Sequence, residues 1–295
     1  MNRRFLTRAV AVTLSLAAAP ALMAQSSSIP RTEHGVPDFQ GTYTFRTLTP
    51  LNRPPELADK ATLTEEEAAE WAAFENRRQN RDLIIDSVGG AGYPPGVSSY
   101  NEFWYERGVD TIADRRTSLV YARTLNDRCL LNARTGPPMI SGSYNNNMQL
   151  VQTKDHVMIL SEMIHHARII RFDDEHHTRQ LKWEGDSIAH WDGDTLVINT
   201  QNYYYPNGWR NTSKAMKVEE RFTWLDENTL DYDFTVEDPN TWDVSWSARL
   251  PMRRIEDPIY EYACHEGNHG LAGILAGWRR YESMGMNGDG TPKED

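Results

Sequence analysis

Cysteine is scarce: Cys129 and Cys264 are the only two in 295 residues. That excludes a disulfide-rich scaffold and a cysteine-only zinc cluster. Positive charge is also short, with 31 Lys and Arg against 42 Asp and Glu for a formal net charge of −11. Phosphate surfaces repel such a chain, which argues against a nucleic-acid or anionic-membrane partner. Beyond the first two dozen residues no apolar run is long enough to span a bilayer, so stable membrane insertion is not expected. A G-x-S-x-G elbow, a P-loop and a nucleotide-binding glycine pattern are all missing, which disfavours a serine hydrolase and any nucleotide-dependent enzyme. No organic cofactor and no resident metal are expected. What remains, 39% hydrophobic and 25% charged, is an ordinary globular composition with enough chain for a sizeable core.

The N-terminus reads as an export signal. Arg3, Arg4 and Arg8 form a basic region, Ala9 to Ala19 an apolar stretch too short to cross a bilayer, and Ala21-Leu22-Met23-Ala24 a cleavage site before Gln25. Arg3-Arg4-Phe5-Leu6 has a faint twin-arginine character. A periplasmic or secreted location follows. In an oxidising compartment Cys129 and Cys264 read as one disulfide, against the rival reading of a thiolate nucleophile or metal ligand beside His265.

Along the chain, residues 1–24 read as signal and 25–115 as an N-terminal arm and helix. Residues 116–282 form a β domain, and 283–295 a flexible tail. Thr64-Glu65-Glu66-Glu67 is a capping box that opens a helix. Past Arg116 the period becomes alternating. Met148 to Thr153 and His156 to Ile170 read as consecutive strands, and Asp192-Gly193-Asp194 joins Ser187–Trp191 to Thr195–Tyr203 as a hairpin. Asp226-Glu227-Asn228 joins Val218–Leu225 to Thr229–Glu237, where Leu230, Tyr232, Phe234 and Val236 alternate with polar residues. A further strand sets Trp242, Val244, Trp246, Ala248 and Leu250 on one face. A short closing helix spans Leu271 to Tyr281. The expected fold is mainly β, an antiparallel meander that removes its edges by closing into a lipocalin-like barrel, with an N-terminal helix and a short C-terminal one.

The order of Tyr144-Asn145-Asn146-Asn147, Glu162-Met163-Ile164-His165 with Ala167-Arg168, Trp191-Asp192-Gly193-Asp194-Thr195-Leu196-Val197, Glu220-Arg221-Phe222-Thr223 and Tyr260-Glu261-Tyr262-Ala263-Cys264-His265-Glu266-Gly267-Asn268 resembles a large, mostly uncharacterised family of secreted bacterial proteins. The resemblance covers nearly the whole exported chain. It implies an exported barrel-like β fold akin to lipocalin-type barrels, and it implies no reaction.

His265-Glu266-Gly267-Asn268-His269 matches H-E-x-x-H literally. A zinc peptidase needs both histidines on one face of a regular helix, and Gly267, Asn268 and Gly270 are poor helix formers after a segment that alternates like a strand. The other readings are a non-catalytic turn, or His265 and Glu266 facing a pocket. A second cluster holds Glu162, His165, His166 and Arg168. On a regular strand Glu162, His166 and Arg168 share one face, and His165 lies with Val157, Ile159 and Met163. His165 is then a core histidine or a base in a pocket, and Glu162 with Arg168 an exposed ion pair, unless a β-bulge brings both faces to one mouth. The amides of Asn145, Asn146 and Asn147 either brace a turn or hold a substrate oxygen. Tyr144, Tyr203, Trp209 and Tyr262 are candidate aromatic contacts for a planar ligand, or loop aromatics folded back on the barrel.

The leading expectation is a cofactor-independent lyase, dehydratase or isomerase acting on a small hydrophobic or aromatic molecule. His165 is the base and Glu162 its orienter or second acid. Arg168 and Asn146 hold developing negative charge, and His265 with Glu266 form an alternative acid pair. The competing expectations are a binding protein without catalysis, and a metal-dependent hydrolase using His265, Glu266 and His269.

Overall fold

In the computed structural model, the described residues are 29–47, 51, 55–57, 59–60, 63–79, 125–132, 134–142, 144–177, 181–204, 212–287 and 292. The signal segment, the boundary at 116, Trp209 and most of the C-terminal tail lie outside them.

Nine described strands close into a barrel. They are β1 (Gly41–Thr44), β2 (Asn147–Gln152), β3 (His156–Ser161), β4 (Ala167–Phe172), β5 (Asp186–Asp192), β6 (Thr195–Gln201), β7 (Lys217–Asp226), β8 (Thr229–Glu237) and β9 (Trp246–Ile255). Each pairs with its chain neighbour, and β1 closes the ring by pairing with β9 as well as β2. The meander is antiparallel with one exception. β4 and β5 pair in parallel at Arg171–Ile188 and Phe172–Ala189.

Alternation decides the inside. Val157 and Ile159 of β3, Ile170 of β4, Leu196 and Ile198 of β6, Val218 and Phe222 of β7, and Leu230, Tyr232, Phe234 and Val236 of β8 are all buried in the core. The segment 135–142 is buried throughout and enters the barrel, where the Met139 N–H donates to the Tyr232 hydroxyl at 2.8 Å. Phe39 seals the core, stacked on Trp191 with ring centres 5.8 Å apart. Outside the barrel, α1 (Glu65–Gln79) begins at the expected capping box. The Thr64 N–H donates to Glu67 at 3.0 Å and the Glu67 N–H to the Thr64 hydroxyl at 3.2 Å.

Several expectations are corrected. The stretch 156–170 is a hairpin rather than one strand, broken by a 3-10 turn at Met163–His165 where Ile164 and His165 have φ of 60° and 41°. Apolar residues run through the turn, so their spacing hides it. Trp242 and Val244 precede β9, and Val244 is 75% exposed. Asp238 ties that loop down by accepting from Ser213 and Thr241. Burial opposes its charge, but these donors outweigh burial and hold the carboxyl below the usual range. Tyr262-Ala263-Cys264 is not a strand. A four-residue helical turn, α2 (Cys264–Gly267), follows, and then the closing helix α3 (His269–Ser283).

Cys129 and Cys264 form a disulfide with their Cα atoms 5.7 Å apart. No helix among the described residues is long and apolar enough to cross a membrane.

Candidate functional site

The chemistry gathers where the β3–β4 turn meets the start of β2, the end of β9 and the segment after it. Tyr43, Met148 and Met252 point into the core, so their neighbours Thr44, Asn147 and Arg253 point outward. With Arg46, Glu162 and Tyr260 they line a cleft of about 650 Å³ on the outer wall. Glu162 is only 6% exposed, and its Oε2 accepts from the Asn147 side-chain amide at 2.8 Å. The cleft thus sets a held carboxylate beside two guanidinium groups, a phenol and a second carboxylate, Asp257.

His165 stands next to this cleft on the turn, with its side chain exposed. Its Nδ1 lies 3.3 Å from the Tyr262 carbonyl oxygen. A proton on Nδ1 satisfies that carbonyl and leaves Nε2 as the basic nitrogen toward solvent. Two successive left-handed residues, one of them β-branched Ile164, are costly backbone states that surrounding structure must hold. Tyr262 helps hold them, and it stacks on Tyr144 with ring centres 6.2 Å apart. The disulfide anchors Cys264, two residues further on.

The sequence reading paired Glu162 with Arg168, and the structure separates them. Arg168 points into the barrel with Ile170, is 5% exposed, and donates through Nη2 to Glu220 at 3.0 Å. Tyr232 donates to the same carboxylate at 2.7 Å. Burial alone would lower the Arg168 pKa, but Glu220 outweighs it and the guanidinium is held above its ordinary value. Burial, reinforced by the Glu220 charge, pushes the phenols of Tyr203 and Tyr232 well above theirs. At the rim of this interior cluster His166 meets Glu184 in close contact.

Asn146 does not join Arg168 either. Its side chain accepts from the Gly142 N–H at 2.5 Å and donates to the Gly142 carbonyl at 2.9 Å, so the amide braces the entering segment. Asn145 has a left-handed backbone at φ 56°, which also fits the turn reading. His265 and Glu266 are exposed on α2. Asn268 then interrupts the helix, with ψ of 57°, and caps α3 by accepting from Leu271 N–H at 3.2 Å. His265 and His269 therefore sit on different helical segments, without the shared face a zinc peptidase needs. Among the described residues no three His, Cys, Asp or Glu side chains group closely enough to hold a metal ion.

Sequence reasoning missed Glu220, Glu184 and Asp186. The signal for Glu220 was present: it holds the inward parity of Val218 and Phe222, an acid on an apolar face. Asp186 faces outward on β5 yet is fully buried, with Arg171, His176, His177 and Lys182 gathered on it. Arg171 donates to both its oxygens at 3.1 Å, Lys182 donates at 2.9 Å and the His177 N–H at 2.8 Å. Burial opposes its ionisation, but those donors overcome it and hold the carboxyl far below the usual range.

No protein-family model matches this chain, and neither does any curated protein. Two solved structures match part of it, both of them mutants of the fluorescent protein UnaG. Each is 15% identical over 38% of this chain and 72% of theirs, with TM-scores of 0.23 and 0.22. Likeness that slight carries no argument, and the barrel rests on its own strand pairing.

Proposed function

We propose that the protein is an exported enzyme that binds a small anionic ring compound in the outer cleft and moves a proton on it. The observation that carries this reading is Glu162, a carboxylate nine-tenths buried that nevertheless lines an open cleft together with Arg46, Arg253 and Asp257. An arginine recognises a carboxylate by paired N–H donors, and Tyr260 offers a ring face. Glu162 takes a proton from the carbon beside a carbonyl. The C–H electron pair becomes the enolate double bond, and negative charge moves to the carbonyl oxygen, where a guanidinium holds it. Return of the proton to another position completes an isomerisation. His165 at the rim exchanges that proton with solvent. The order of basic, apolar and small residues in 1–24, with the disulfide, supports export.

The test uses phenylpyruvate in D2O, with loss of its C3–H signal followed by proton NMR. Exchange should run faster than in buffer. It should fall at least about 100-fold in Glu162→Gln, with binding kept. Arg253→Met should raise KM instead. His165→Ala should slow turnover and leave Tm within about 2 °C, since its side chain is exposed. Exchange unchanged in Glu162→Gln overturns the assignment, and binding without exchange in the native protein leaves a carrier.

A further inference from the structure

We propose that Arg168 and Tyr203 form a second binding site, inside the barrel and separate from the outer cleft, for the carbonyl oxygen of a neutral molecule such as an aromatic ketone. Arg168 meets Glu220 through Nη2 alone, while its buried Nε and Nη1 have no hydrogen-bond partner among the described residues. The Tyr203 hydroxyl, on a side chain only 2% exposed, has Thr200 as its polar neighbour and meets no partner at full hydrogen-bond geometry among the described residues. Buried donors without acceptors are rare, because each has given up its bonds to water. Several of them on two neighbouring side chains mark a place where an acceptor belongs.

Charge decides which acceptor fits. Glu220 already neutralises Arg168, and Glu184 at the rim adds a second acid in close contact with His166. No positive charge is left over, and an added carboxylate would face both acids at short range. A carbonyl oxygen accepts N–H and O–H donors without adding charge. The neighbouring wall is lined by small groups: Ser187 and Thr200 bond to each other at 2.8 Å, and Gly185 lies against the Tyr203 ring. A Cβ at Gly185 would come within 2.6 Å of Thr200 Cγ2 and 3.0 Å of Tyr203 Cζ. His166 and Glu184, with side chains 22% and 20% exposed, connect the cluster to solvent.

The probes are 4-fluoroacetophenone and 4-fluorobenzoate, read by fluorine NMR line broadening with the full exported chain. The ketone should bind, and Tyr203→Phe, which removes one hydroxyl, should weaken it about fivefold without lowering Tm. Glu162→Gln should leave ketone binding unchanged, so a failure of the cleft reading does not touch this one. The double variant Arg168→Met with Glu220→Gln, which removes both charges together, should abolish ketone binding. Any of three results overturns the proposal: ketone binding equal in Tyr203→Phe, ketone binding lost in Glu162→Gln, or tighter binding of the benzoate at the Tyr203 site. Absence of ketone binding to the native protein overturns it as well.

Discussion

Two buried carboxylates, each with an arginine, sit about the wall of the same barrel, and they are built differently. Asp186 lies on the outer face and is saturated: both oxygens are taken by Arg171, and Lys182 and the His177 N–H add to them. Glu220 lies inside and accepts from Tyr232 and a single nitrogen of Arg168, whose Nε and Nη1 have no hydrogen-bond partner among the described residues. A saturated cluster holds structure together. An unsaturated one holds structure together and keeps donors in reserve. The difference follows from position: outward groups find a covering loop and solvent-reaching lysine, while inward groups find only what the opposite strands present.

The strongest way to break this comparison is Glu220→Ala. It leaves the Arg168 charge buried without a counter-ion and should cost about 3–5 kcal/mol, measured by urea unfolding. A loss no larger than that of an exposed substitution would mean Arg168 reaches water after all. Asp186→Asn should cost less, about 2 kcal/mol, because Arg171 and Lys182 keep partial access to solvent. It also carries a pH signature. The folded-state pKa of Asp186 lies below its unfolded value, so its stabilisation is complete above the ordinary carboxylate range and is lost as pH falls through and below it. Native Tm should therefore drop as pH is lowered below about 4, and the drop should be shallower in Asp186→Asn. An identical decline in both proteins would assign acid sensitivity elsewhere. The smallest effect expected is Tyr232→Phe, about 1–2 kcal/mol, since it removes the hydroxyl that links Glu220 to the Met139 N–H and nothing else.

A similar contrast separates two hairpins of the barrel. At β7–β8 the turn Asp226-Glu227-Asn228 is polar, the strands on either side alternate up to a bulge between Trp224 and Asp226, and the hairpin read from the sequence is the one formed. At β3–β4 the turn contains buried Met163 and Ile164, so nothing in the residue types marks an end to the strand. The left-handed backbone that makes this turn is imposed by tertiary neighbours, and it is this turn that carries Glu162 and His165. The misreading of Arg168 follows directly. Period-two counting across an unseen turn put it with Glu162, whereas counting back from Ile170 puts it inside.

Closed antiparallel-rich β architecture, the capped N-terminal helix, the hairpin at Asp192-Gly193-Asp194 and the core residues of β8 were all legible without a structure. They depend on near neighbours: alternation, turn chemistry and caps operate over a few residues. Composition likewise led to the pairing of the only two cysteines, once export was read from the N-terminus. The partners of charged side chains were not legible. Arg168 meets Glu220 from three strands away, Glu162 meets Asn147 across a strand pair, and His165 meets the carbonyl of Tyr262 from the far end of the chain. Coulombic and hydrogen-bond partners are chosen by distance in space. Barrel closure, with β1 joined to β9, decides those distances, and local pattern carries no record of them.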